Sequence, residues 1–295
     1  MLPASLTFPD LVPNAFTGVL EARSTPVQWG FPNAKNVWYV GEGQAVQTLT
    51  ELFTLMQPGD VAFLAPGAYV EGNLVIPATL TGITLIGVAD SLASRGAAFI
   101  EPATVGHAGL QVLANDVTLI NIGVASEATG AHSLKIGSNS VNVARFRAYR
   151  CKLEGNEAAN PAGQVVLQGC GDIIFEDCEI AWGVNGIIGG ANLNGFPTQI
   201  LFRNCWFHDL TTVHVGIAAA DHFIELWLRD CIFDRNEAGV APTDFILLSD
   251  NANIGSITGC RFANATNQAA VITIGTGILY MANATEAGWS TARPV

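Results

Sequence analysis

The chain has 295 residues, 49% of them hydrophobic and only 13% charged, and 25 acidic against 13 basic side chains leave it at −12. An ordinary soluble domain carries about a quarter charged residues, so much of this chain must be buried, against itself or against partners. The acidic balance argues against nucleic acid as a ligand, because neutralising phosphates requires a basic face. The longest uncharged run, Phe262–Thr285, is broken by Asn264, Asn267, Gln268 and Asn283, so it reads as alternation and turns rather than a membrane-spanning segment.

In chain order, residues 1–36 come first. They are apolar and rich in proline, with Phe8, Phe16 and Trp29 among their large side chains, and they show no periodic pattern. No basic n-region or continuous apolar stretch marks a signal peptide. We read this segment as an extended arm that lies along the rest of the molecule or on a neighbouring subunit. AVQTLTELFTLM, residues 45–56, has the amphipathic spacing of a helix. QPGDVAFLAPGAYVEGNLVI (57–76) and LTGITLIG (80–87) then read as short strands punctuated by Pro-Gly and Gly turns.

From there the chain repeats itself. VTLINIGV (117–124), FRAYRCKL (146–153), IIFEDCEI (173–180), ILFRNCWF (200–207), LWLRDCIF (226–233) and GSITGCRF (255–262) are copies of one pattern. Each alternates with period two on both sides of one turn residue, Asp177, Asn204, Asp230 or Gly259 in the last four copies. Each copy is therefore strand, bend, strand. Between copies lie Gly, Asn and short β-like runs such as TTVHVGIAA, TDFILLS and AAVITIGT, and no long helix pattern. A period of about 27 residues built from short strands is one coil of a solenoid. Residues 37–285 form that domain, and 286–295 are a tail.

These residues resemble the right-handed parallel β-helix, the pectin-lyase-like superfamily. The resemblance includes a capping helix at 45–56, the Pro-Gly-Asp that follows it and the strand–turn–strand of the first coil. It implies an all-β, right-handed, single-stranded parallel β-helix with an N-terminal capping helix and an extended arm. It says little about function, because enzymes and inert stalks share this architecture.

In this frame Cys151, Cys178, Cys205, Cys231 and Cys260 form a column that points into the core. Metal ligation or disulfides are the alternatives, but stacked side chains run parallel rather than towards each other, no ligand histidine accompanies them, and a free cysteine behaves as a small buried hydrophobe. A column of unpaired thiols suits a reducing compartment. Cys170 falls outside it. Asp177, Asn204 and Asp230 read as a ladder of turn residues, with a calcium or acid–base cluster as the alternative.

If Phe202, Cys205 and Phe207 point inward, Leu201 and Trp206 point outward and stack on Trp227 and Ile232 in the next coil. Such a contiguous exposed apolar patch marks an interface, unless residues 185–197 form a lateral loop that folds over it. Catalytic candidates are few. Asp172, Glu176, Glu179, His208, Asp209, Asp230 and Asp234 are the groups from which a lyase or glycosidase site could be drawn, with His208 and Asp234 on neighbouring rungs. No triple-carboxylate cluster assembles from them, and HDL (208–210) and DRN (234–236) read as solvated turns. No metal site and no cofactor is expected.

The reading leans away from an enzyme. The expected function is that of a bacteriophage virion structural protein, a capsid decoration (cement) or tail or baseplate accessory protein. Its expected partners are copies of itself, as a homotrimer, and other virion proteins such as the major capsid protein. Its expected place is the virion, assembled in the host cytoplasm. The alternative is a polysaccharide lyase, glycoside hydrolase or tailspike depolymerase of the same fold. A carbohydrate-binding module using Trp206 and Trp227 as sugar platforms is a third reading.

Overall fold

The computed structural model describes residues 35–88, 98–103, 107–126, 132–155, 163–217, 222–234, 244–248, 253–263, 272–274, 278–285 and 288–292. The arm, with Phe8, Phe16 and Trp29, lies outside them. Each coil contributes to three parallel stacks of strands. The first sheet begins with Val37–Val40, Val61–Leu64, Thr84–Gly87, Thr118–Ile120 and Arg147–Tyr149, each paired in parallel with the next. A bend leads to the second sheet, which begins with Gly67–Glu71, Ala98–Pro102, Ile122–Ala125 and Lys152–Glu154. A further turn leads to the third, which begins with Val75–Ile76, Leu110–Val112, Leu134–Gly137 and Val165–Gln168. The second and third sheets share two long strands, Glu179–Gly190 and Trp206–Ile217, which run through the turn without an inserted loop. The last pairing is different: Gly288–Ala292 runs antiparallel to Ile278–Thr285.

The expected helix forms but is shorter, Leu49–Leu55 rather than 45–56. Thr48 is extended and its side chain accepts from the Glu51 amide, so the helix starts there. The Glu71 carboxylate accepts from the Leu49 and Thr50 amides at 2.5 and 2.7 Å, a favourable place for negative charge at a helix N-terminus. Leu49 and Leu52 join the common core. No helix among the described residues is long and apolar enough to cross a membrane.

Identical side chains stack inside. Phe175 lies on Phe202 at 4.8 Å, Phe207 on Phe233 at 4.8 Å and Phe233 on Phe262 at 5.0 Å, all nearly coplanar. The cysteine column is present as expected: all six cysteines are free and buried. Cys178, Cys205, Cys231 and Cys260 each donate to a backbone carbonyl one coil back, of Ala148, Phe175, Phe202 and Leu228, at 3.5 Å. Burial pushes the Cys151, Cys170 and Cys205 thiols up, away from thiolate reactivity. Cys170, also buried, lies outside the column at the start of the strand Cys170–Glu176.

The bend is a second ladder. Asn121, Arg150, Asp177, Asn204, Asp230 and Gly259 all have φ between 53° and 67°. This is the left-handed region, where Asn, Asp and Gly are least penalised. One residue in that conformation turns the chain from the first sheet to the second and shifts the phase of the alternation. Asn204→Val, with a β-branched side chain at the bend, should destabilise the fold by about 1–2 kcal/mol, whereas Asn204→Gly should cost little. Denaturant unfolding of the two variants measures the difference.

His214 sits in Trp206–Ile217, fully buried, with its ring edge-on to Phe245 at 4.8 Å and neither ring nitrogen hydrogen-bonded. Burial, with repulsion from His208 added, pushes its pKa down to about 3. The unfolded chain takes up this proton near pH 6.5, and the folded chain only near 3. Stability therefore drains away as pH falls below about 6.5, at about 1.4 kcal/mol per unit. Relative to wild type, His214→Leu should gain about 2 kcal/mol between about pH 7 and pH 5, read from unfolding curves at the two pH values.

Candidate functional site

The outer side of the first two sheets, with the bend between them, forms a ridge that carries most of the chemistry. Parallel register fixes its columns. Leu201 stacks on Trp227, Trp206 on Ile232, and Glu176, Arg203 and Arg229 form one column. All four apolar residues face outward as the alternation requires. Trp206 is 38% and Ile232 40% exposed, while Leu201 and Trp227 are half-buried. The segment 185–197 does not cover them. Residues 185–190 continue a strand of the third sheet, and the turn after it is tied elsewhere. There Leu193 donates its amide to the Asn139 carbonyl, and the Asn192 side chain donates to the Ser138 carbonyl and to Asn142.

The ridge also sorts its charges by coil. Arg147, Arg150 and Lys152 lie in one coil; Glu176, Asp177 and Glu179 lie in the next. Arg203 reaches back to Glu176 at 2.6 Å, and Lys152 lies 3.9 Å from Glu179. Exposed pairs of this kind add little stability, but like charges on adjacent coils would oppose the stacking.

The catalytic candidates separate. Asp172 is ion-paired with Arg147 at 2.9 Å, and Glu176 with Arg203. Asp234 follows Ile232–Phe233 and donates its amide to the Phe207 carbonyl. His208 and Asp209 do come together, but not in a solvated turn. Both are buried, because the strand Trp206–Ile217 passes straight through the position where a loop was expected. Residues 235 and 236 of the second expected turn lie outside the described residues.

His208 is bound on both sides. Its Nδ1 lies 2.6 Å from Asp209 Oδ2, and its Nε2 lies 3.3 Å from Glu179 Oε1 in the preceding coil. Trp206 stacks on the imidazole at 3.8 Å, and Trp182 meets it edge-on at 6.4 Å. Trp182, 41% exposed, has φ 60°, and Asp209, its counterpart one coil on, has φ 53°. A bulky residue seldom holds that conformation. Burial works against the charged form of His208, but hydrogen bonds and charges from Glu179 and Asp209 outweigh it, and its pKa is raised. The group is thus an imidazole held between two carboxylates that favour its protonated form, and against an indole face. Trp182 was missing from the sequence-derived set, and Glu179, though in it, was not paired with His208. The signal available was register: Glu179 stands 27 positions before Trp206 in the repeat, beside the rung of His208. Among the described residues no three His, Cys, Asp or Glu side chains converge on a metal position.

Fold and ridge together define a parallel β-helix protein whose outer face carries an aromatic and ionic strip. A family model described as a right handed beta helix region matches residues 140–287, and the chain belongs to that family. Solved structures agree on the fold. The pectin methylesterase of Aspergillus niger aligns with TM-score 0.63 at 14% identity, over 88% of this chain and 92% of that one. The carrot pectin methylesterase gives 0.61 at 12%, over 86% and 84%. A polygalacturonase from Erwinia carotovora gives 0.53 at 12%, over 86% and 87%. No curated protein sequence matches the chain.

Because the raised pKa of His208 stems from its carboxylate partners, its contribution to stability is complete below about pH 6.5 and is lost as pH rises through the raised value. Glu179→Gln should therefore lower the titration midpoint of His208 towards that of an ordinary histidine, as followed by the ring proton shifts in NMR.

Proposed function

We propose that this chain is a structural protein of a bacteriophage virion, a capsid decoration or a tail or baseplate accessory component, working by docking rather than by turnover. The observation that supports this is the outward apolar strip. Trp206 over Ile232 and Leu201 over Trp227 place four large apolar groups on one ridge across two coils. Tryptophan is over-represented at the energetic centres of interfaces, and solvent is an unfavourable destination for a contiguous patch. On this reading the partners are further copies of the chain, as a homotrimer, and the major capsid protein or another virion component. The rigid solenoid presents the strip at a fixed spacing.

One observation favours a second reading. Glu179, His208 and Asp209 put acid–base groups beside two exposed indoles, Trp182 and Trp206, a composition suited to a sugar ring. The similar folds include enzymes named for pectin and polygalacturonate chemistry. On this reading the chain is a polysaccharide lyase, a glycoside hydrolase or a tailspike depolymerase.

Sedimentation from the native source, with copies counted by quantitative mass spectrometry, separates the two. Pelleting with particles at hundreds of copies identifies a decoration protein, and a few dozen or fewer a tail component. A chain that stays soluble and releases reducing sugar sinks the structural reading. The double variant Trp206→Ser/Trp227→Ser should remain folded yet lose roughly thirtyfold or more in particle affinity, the effect of a single hot-spot residue.

A further inference from the structure

The ridge is not electrically uniform, and its asymmetry indicates what docks there. The chain as a whole is acidic, at −12. Arg147, Arg150, Lys152, Arg203, Arg229 and Arg261 nevertheless all lie on the outer side of the first two sheets or on the bend between them. In the earlier coils these cations face Glu176, Asp177 and Glu179 one coil away, and the charges offset each other. In the later coils the acidic column stops. Below Trp206 and Trp227 come Ile232, Ser256 and Arg261, and the bend column ends in Gly259. Arg229 and Arg261 are exposed, and neither is paired with a carboxylate among the described residues. Asp230 is the acidic group nearest in sequence. Two guanidiniums with no ion pair among the described residues thus stand beside the apolar groups, Arg229 between Trp227 and Ile232 along the chain and Arg261 next to Ile232 in the following coil.

We infer that this half of the ridge binds an acidic polypeptide segment of a partner protein, one that alternates carboxylates with apolar side chains. The inference rests on the docking reading above and names the partner's chemistry. Aromatic residues and arginine are the types enriched at protein interfaces. A guanidinium takes a carboxylate through two parallel hydrogen bonds, which fixes register as well as sign. The apolar groups beside the arginines have no counterpart on a ligand that is charged all over. They need apolar side chains opposite them to recover the free energy of burial. The acidic surface elsewhere on the chain would repel such a partner, so the arginines also select which face it meets.

The test uses the full chain and three fluorescent probes, with binding read by anisotropy. They are a peptide of alternating glutamate and leucine, its lysine–leucine counterpart, and oligogalacturonate. The glutamate–leucine peptide should bind. Its affinity should fall about tenfold or more as NaCl rises from about 50 mM to about 500 mM, because screening weakens charge attraction between exposed groups. Arg229→Glu/Arg261→Glu should abolish binding at low salt. Trp227→Ser should weaken it at every salt concentration. The lysine–leucine peptide should not bind. Circular dichroism and thermal unfolding of the variants check that these exposed substitutions leave the solenoid folded, and Arg229→Gln/Arg261→Gln, with an intermediate loss, serves if charge reversal disturbs it. Three results would overturn the inference: no binding of the acidic peptide at low salt, equal binding of the basic peptide, or oligogalacturonate binding as tightly as the acidic peptide. The last would assign the arginines to an anionic glycan. Failure of the chain to pellet with particles would remove the virion reading and leave the peptide result standing, so the two can be told apart.

Discussion

One constraint organises this molecule: its backbone hydrogen bonds run between coils, so each residue lies on its counterpart one repeat away. Strand spacing is then about 4.8 Å everywhere, and side chains interact along columns instead of across a three-dimensional jigsaw. The phenylalanine stacks at 4.8–5.0 Å are the direct result, since coplanar rings at that separation follow from placing the same residue at the same rung. The cysteine column has the same origin. A small side chain fits beneath the bend, and its thiol satisfies itself on the carbonyl of the coil before.

The same constraint governs the outside, where the columns are heterogeneous. A charge on one coil meets whatever the next coil places at that rung. Arg203 over Glu176 and Lys152 beside Glu179 show the favourable case. His208 is the more consequential case, because its carboxylate partners come from two directions: Asp209 from its own chain neighbour and Glu179 from the coil before. His208 and His214 lie six positions apart on one strand yet shift in opposite directions. The first is held between anions near the surface. The second is sealed beside phenylalanines with no carboxylate partner among the described residues. Burial opposes the charge in both, and only His208 has the counter-charges to overcome it.

Much of this was legible in the sequence. Period-two alternation around Asp177, Asn204, Asp230 and Gly259 specifies which residues face inward, and the structure places Phe202, Cys205 and Phe207 in the core and Trp206 and Ile232 outside accordingly. The left-handed bend at those residues follows from their chemistry, because Asn, Asp and Gly tolerate positive φ. The turn after the second sheet was not legible. HDL looks solvated because His and Asp are polar and adjacent, yet Trp206–Ile217 carries them through as buried strand. The stretch 185–197 looks like a loop because of its glycines, yet its first half is strand. Glycine there permits close approach: a Cβ on Gly186 would lie 2.4 Å from the His214 carbonyl oxygen.

The sequence by itself determined the repeat, the inward and outward faces and the residue at each bend, because these depend on local alternation and on the conformational preferences of single residues. Tertiary structure decided which columns meet and how polar groups are satisfied. It brought Glu179 and Asp209 to either side of His208, set Trp182 against its edge, and left Arg229 and Arg261 without an ion pair among the described residues where the acidic column ends. Those outcomes depend on the register between coils and on the number of residues each turn absorbs. Neither is encoded at any one position, and both are settled only when the coils stack.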